Sequence, residues 1–359
     1  MFNQPFALSR LGAQRPAVSK GAQQTFRSSF DTRSRFARTL LRTNGIILAL
    51  ALAAGAAHAQ TYPNKPVKLI NGFQPGGPTD VIGRILADHM SKAMGQQFIV
   101  EAKPGAGGNL AGEIVANSPP DGYTLYVAAS GVLVSNHALY RNMSYDPATA
   151  LAPISILVRI PMPFDVSTKI PVNTFADFVA YAKANPGKLN HGSPGIGTVP
   201  HLAAELFRKR VGFASEHVPY RGSAPFAQGM TQGEVQWAFD SPNTALQMVR
   251  NGSIRVLAIT GARRNEVFPD VPTLEETGVK DTDWTSFFAL MGPAGLPKAI
   301  VDKLYAEIAR GWKDPDVVQR LKNVGFTPAG LSPEESAKLI ARDRAVWTGV
   351  VRENNMKVE

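Results

Sequence analysis

The chain has 359 residues, no cysteine and a formal net charge of +10. Without thiols there are no disulfides, no thiol catalysis and no lipid attachment at a leader cysteine. Arg10, Arg15, Lys20, Arg27, Arg33, Arg35, Arg38 and Arg42, opposed by Asp31, put +7 on the first 59 residues and leave +3 on the rest, which provides no electrostatic basis for binding nucleic acid.

That basic segment runs into an apolar stretch, Ile46 to Ala57, and then into Ala57-His58-Ala59. A positive region, an apolar run and an A-x-A site predict a Sec-type signal peptide over residues 1–59, cleaved after Ala59, with no twin arginine. The apolar run is short for a membrane span. The mature protein, beginning at Gln60, is therefore expected in the periplasm.

About 300 mature residues suggest two domains. Strands are predicted over Val67 to Phe73, Gln97 to Glu101 and Tyr123 to Ala129, with helices over Pro78 to Met94 and Asn109 to Asn117 between them. Such alternation predicts parallel α/β sheet. An extended stretch from Pro153 to Val166 follows. The rhythm then resumes, with strands at 188–192, 217–220, 235–240 and 254–260, and helices at 175–184, 199–210, 224–231 and 244–251. An extended segment at 284–291 precedes three helices, 298–312, 316–324 and 333–352, with no strand predicted between them. Those helices are expected to pack back on the first sheet, giving a discontinuous domain 1 (60–161 and 285–359), domain 2 (162–284) and two crossovers.

Two glycine-broken loops stand where strands meet helices: FQPGGPTD, Phe73 to Asp80, and NHGSPGIGTVPH, Asn190 to His201. Such junctions aim backbone N–H groups and the positive end of a helix at an anion. Neither loop contains lysine or arginine, so neutral amides and hydroxyls would have to hold the ligand. Asp80 reads equally as a helix-capping acid, and Asp240 at a strand end as a ligand acceptor or a buried cap. Arg221 reads first as an exposed strand end. His191 and His201 fit neither a zinc spacing nor a catalytic pair and are expected in packing or surface positions, with Glu205 on the helix surface. The cluster PGAGGNLAG, Pro104 to Gly112, misses the dinucleotide fingerprint, and GxSxG, HExxH and Walker A motifs are absent.

FQPGGPTDVIGRILA, PGAGG followed by PPDGYTL, SYDP, GKLNHGSPGIGTVPHLAAELF, HVPYRGSAP, Phe239-Asp240, PTLEETG and GPAGLP occur in order along nearly all of the mature chain. Together they resemble the Bug receptors of tripartite tricarboxylate transport systems. The resemblance implies an α/β, two-domain periplasmic binding protein of the type II-like Venus-flytrap kind with two crossover strands. It implies a monomer without cofactor or metal that holds a small organic acid and hands it to a membrane permease. Carried over by position, it places Phe73, Gln74, Gly76, Gly77, Thr79 and Asp80 on one side of the ligand, and Ser193, Gly195, Gly197, Thr198 and Asp240 on the other. Gly72 stands where the family often has proline, Ala102-Lys103 replaces Asn-Arg, Ala150-Leu151 replaces Asp-Phe, and His191 replaces tyrosine or alanine. These departures leave the identity of the acid open. The alternatives are a periplasmic enzyme acting on a small organic acid and a receptor serving a sensor kinase.

Overall fold

A computed structural model describes residues 62–358; the expected signal peptide and its cleavage site lie outside the described residues. The chain starts with β1 (Val67–Asn71), α1 (Pro78–Met94), β2 (Phe98–Ala102), α2 (Asn109–Ala116) and β3 (Thr124–Ala129). In β1, Val67, Leu69, Ile70 and Asn71 are buried, the near-continuous burial of a strand covered on both faces. Ile82, Ile85, Leu86 and Met90 recur at helical spacing and bury one face of α1. Gly95, at φ 69°, ends that helix and donates its N–H to the Ser91 carbonyl at 3.2 Å.

Short helices α3 (Ser130–Val134), α4 (Asn136–Leu139) and α5 (Pro147–Ala150) lead into β4 (Leu151–Ile160) and β5 (Pro163–Ser167). The second lobe continues through α6 (Phe175–Ala184), β6 (Asn190–Ser193), α7 (Val199–Val211), β7 (Glu216–Pro219), α8 (Ser223–Gln232), β8 (Trp237–Phe239), α9 (Pro242–Arg250) and β9 (Ile254–Ile259). The chain returns through β10 (Ser286–Pro293), α10 (Lys298–Gly311), α11 (Pro315–Asn323), β11 (Thr327–Pro328) and α12 (Pro333–Glu353). Two sheets result, with orders β11-β4-β10-β3-β1-β2 and β7-β6-β8-β5-β9.

The predicted parallel pairings are present, but both sheets are mixed. β1 is parallel to β2 and β3, and β6 is parallel to β7 and β8, but β10 runs antiparallel to β3 and β4, and β5 antiparallel to β8 and β9. The reason is topological. β4 carries the chain out of the first lobe and β10 brings it back alongside, so the two neighbours run in opposite directions. The final segment is also not purely helical, because β11 pairs with β4. Two residues were too few to show as a period in the sequence.

The crossings are tied together where they pass between sheets. Met162 N–H donates to Thr260 Oγ1 at 2.7 Å, and Thr260 N–H donates to the Met162 carbonyl at 2.9 Å. Behind them the second lobe is built on Trp237, fully buried among Phe164, Phe178, Phe207, Phe213 and Phe239. The indole N–H of Trp237 donates to Ser215 Oγ at 3.0 Å, so this large ring is buried without an orphaned donor.

Candidate functional site

Helix N-termini converge on one cleft between the sheets. Gly77 to Thr79 at the start of α1, Ser130 and Gly131 of α3, Thr198 to Pro200 of α7, Gly222 to Ala224 of α8 and Ser241 before α9 all line it. None of these five helices has a side-chain hydrogen bond at its N-cap. By contrast α6 and α12 carry full capping boxes, from Thr174 with Asp177 and Ser332 with Glu335, while Asp146 caps α5 and Asp314 caps α11. Helices α2, α4 and α10 also start uncapped, at Gly108, Ser135 and Pro297, and contribute no residue to the cleft lining. A leading turn without a cap keeps its amides free for another acceptor and its dipole unopposed.

The residues expected from the sequence divide into three groups. Phe73, Gln74, Gly77, Thr79, Thr198 and Asp240 line the cleft. Gly195 lines an adjoining outer recess, where Phe73 and Gln74 recur beside Tyr140, Tyr220 and the exposed Arg221. Gly76, Asp80, Ser193 and Gly197 are not among the lining residues of either space. They brace the loops instead. Asp80 Oδ2 accepts from Gly76 N–H at 3.0 Å and from Arg84 Nε at 2.8 Å, which closes the first loop. Ser193 Oγ donates to the Gly195 carbonyl at 3.1 Å, and Thr198 Oγ1 donates to the same oxygen at 2.8 Å.

The second loop also rests on a buried histidine column. Gly197 N–H donates to His201 Nδ1 at 3.1 Å; the His201 ring stacks on His217 at 3.8 Å between centroids, and His217 Nε2 lies 2.8 Å from Ser193 Oγ. Burial lowers His201 to about 4 and His217 to about 2, so both rings are neutral near pH 7 and His201 can accept that N–H. The packing expected for His191 and His201 is what is seen, since both are buried. Glu205 is a correction: it is 5 % exposed rather than on the surface, lies 3.1 Å from His191 Nε2, and accepts from Arg208 Nε at 2.8 Å. Helical position alone did not reveal that the histidine column covers this face of α7.

Sequence reasoning also missed Ser130, Ser286, Met162 and Phe288 as lining residues. Ser130 and Ser286 Oγ atoms lie 2.8 Å apart although 156 residues separate them in sequence; only the pairing of β10 with β3 brings them together. The lobes touch across the cleft, where Ser135 Oγ donates to the Gly197 carbonyl at 2.9 Å. Asp240, 1 % exposed, is the single titratable side chain among the described residues that line the cleft, and no lysine, arginine or histidine joins it. Burial raises its carboxyl to about 8, against a smaller opposing effect of the Ser241 N–H.

Two α/β lobes joined by paired crossings, with strand ends and helix N-termini meeting across a cleft, define a periplasmic binding protein of the Venus-flytrap type. Among solved structures, R. palustris Rpa4515 with adipate is 32 % identical with a TM-score of 0.80, covering 83 % of this chain and 100 % of that chain. MatC (Rpa3494) from Rhodopseudomonas palustris with bound malate is 30 % identical with a TM-score of 0.75, covering 81 % and 100 %. Protein BugT of Bordetella pertussis is 33 % identical over 321 residues, 89 % of this chain and 98 % of that protein. The chain belongs to the tripartite tricarboxylate transporter family receptors, whose family profile matches residues 82–356. This is a family of solute receptors rather than enzymes. Among the described residues no helix is long and apolar enough to cross a membrane.

Proposed function

We propose that the protein is a periplasmic receptor that binds a small carboxylate-bearing metabolite between its lobes and delivers it to a permease of the tripartite tricarboxylate type. The lobes are taken as residues 60–161 with 285–359, and 162–284. The single observation that carries the reading is the convergence of five uncapped helix N-termini on a cleft lined by no cation. Several charge-assisted bonds from amides and hydroxyls to a carboxylate supply the needed free energy, about −8 kcal/mol for micromolar binding. The adipate and malate in the titles of two related structures support the ligand class. Phe73, Gln74, Gly77, Thr79, Thr198 and Asp240 are assigned to contact the ligand. Gly76, Asp80, Ser193, Gly195 and Gly197 are assigned to shape the loops that present it.

A thermal-shift screen of the mature protein against mono-, di- and tricarboxylates, adipate and malate among them, is expected to raise the melting temperature for a subset. Saturation at a hundred times Kd stabilises by about 2.7 kcal/mol. A panel that produces no shift, or an acid returned chemically altered, would overturn the reading. Because amides rather than exposed arginines hold the anion, raising salt from about 0.05 to 0.5 M is expected to change Kd by less than about threefold. A log-linear loss of affinity over that range, measured by calorimetry, would instead assign the ligand to Arg221 at the rim.

A further inference from the structure

A second acid lies behind the one in the cleft. Asp165 is on β5, fully buried, and neither of its carboxyl oxygens has a hydrogen-bond partner. Asp240 follows the end of β8, the strand paired antiparallel with β5, and its Oδ2 also has no partner. Asp165, in the middle of β5, pairs with Ala238, two residues before Asp240, and two buried carboxyls so placed are unstable as two anions, because each charge lacks solvation and repels the other.

No charge on the same face offsets this: α7 packs on the Trp237 and Phe239 face of β8, so its His201, Glu205 and Arg208 lie across the sheet from the face of Ala238 and Asp240. Asp165 is the one charged residue of β5; β8 has none before Asp240; and β9 has Arg255, which pairs in register with Val166 and so lies on the opposite face of β5 from Asp165. Helix α9, packed on β5 and β9, has Arg250, exposed in its last turn. From the first lobe, the loop before α1, the start of α3 and Ser286 of β10 put no charged side chain on the cleft surface. Asp80, in the first turn of α1, is engaged by Gly76 and Arg84.

We propose that Asp165 and Asp240 form a proton-holding pair in the floor of the cleft, and that a carboxylate ligand binds against Asp240 in its acid form, accepting the Oδ2 proton as a hydrogen bond. This rests on the receptor reading above and adds what that reading lacks, namely the ionisation state of the floor. An ionised Asp240 would repel the ligand in a cleft with no cation to offset it; a neutral one can donate to it. Asp240 lines the cleft and its buried Oδ2 has no partner within the protein, so a proton held there lacks an acceptor until a ligand supplies one. Asp165 touches no lining residue's role directly and acts as a positioning residue, keeping the floor dry and unfavourable for charge. Burial and repulsion from Asp240 push Asp165 well above the usual aspartate range, and burial holds Asp240 near 8.

The test is calorimetry with adipate and malate from pH 5.5 to 9.5 in buffers of differing ionisation heat, together with urea unfolding of the free protein over the same range. Affinity is expected to be flat below about pH 7 and to fall toward tenfold per pH unit above about pH 8, with proton uptake approaching one per ligand there. Asp240→Asn, which keeps a neutral donor, is expected to abolish both the pH dependence and the uptake. Asp165→Asn is expected to keep ligand-linked uptake, since Asp240 still donates, while its stability declines less steeply between pH 5 and 8 than that of the wild type. A carboxylate bound with the same affinity at pH 6 and pH 9.5, uptake that survives in Asp240→Asn, or a pH-stability slope unaltered in Asp165→Asn would each overturn the pair. If no carboxylate binds at any pH, the receptor reading falls instead, and the unfolding slopes still report on the pair by themselves.

Discussion

Gly131→Ala is expected to weaken carboxylate binding by roughly ten- to a hundredfold, because it lowers the population of the closed, binding-competent form by that factor. A Cβ at Gly131 would meet the Gly197 carbonyl oxygen at 2.7 Å and Thr198 Cα at 3.3 Å, both backbone atoms of the facing lobe. The nearest atoms are thus the second loop itself, and no flexible side chain is available to move aside. Gly131 lies within α3, so alanine suits the local backbone, and the ligand-free protein should lose no stability. Calorimetry gives the affinity and thermal melting without ligand gives the control. Wild-type affinity in this variant would mean that the contact between Gly131 and the second loop is not part of the bound state. Loss of melting temperature without ligand would instead place the damage in the first lobe.

The second large effect concerns Glu205. Its side chain is 7 % exposed, accepts from Arg208, and stands 3.1 Å from His191, whose ring lies tilted against that of Trp237 at 4.9 Å between centroids. Burial acts to raise this carboxyl, but the His191 and Arg208 contacts outweigh it and hold it at about 2, below the ordinary 4.5. A carboxyl lowered on folding stabilises the protein above its unfolded value and loses that contribution as pH falls through its folded value. For Glu205 the loss runs from about pH 4.5 to about pH 2 and amounts to about 3 kcal/mol. Glu205→Gln is therefore expected to be less stable at pH 7 by about 3 kcal/mol, within the range for breaking a buried pair, and to approach the wild type near pH 2. The lowered His201 and His217 add a separate acid sensitivity that begins higher, as pH falls below the ordinary histidine value of 6.5, and the variant should retain it. Urea unfolding at pH 7, 4 and 2.5 separates the two. Parallel pH profiles for the two proteins would remove Glu205 from the acid response.

The first loop shows how far local reasoning reaches. Pro78 at the first helical turn and the glycines before it mark where α1 begins whatever the rest of the chain does, because φ restrictions and capping act within a few residues. The same holds for α6 and α12, whose capping boxes read directly from Thr174 to Asp177 and from Ser332 to Glu335. Asp80 shows the limit: its type and place at the start of the helix suited ligand contact and helix capping equally, and its bonds to the Gly76 amide and to Arg84 are visible only in the structure. The short helix α3 carried no periodic signal in five residues, and its packing against α12 makes it a helix.

The sequence by itself determined the two glycine loops, the order of the longer strands and helices in both lobes and the near neutrality of the chain beyond its first 59 residues, because these depend on local conformational preference, periodicity and charge counting. Only the tertiary structure decided that β10 runs antiparallel beside β3 and β4, that Ser286 meets Ser130, that Glu205 turns inward beside His191, and that buried Asp165 pairs with Ala238, two residues before Asp240. Each of these depends on strand register or side-chain burial between segments far apart in the chain. Free energies of that kind come from desolvation and packing among partners that no local window contains.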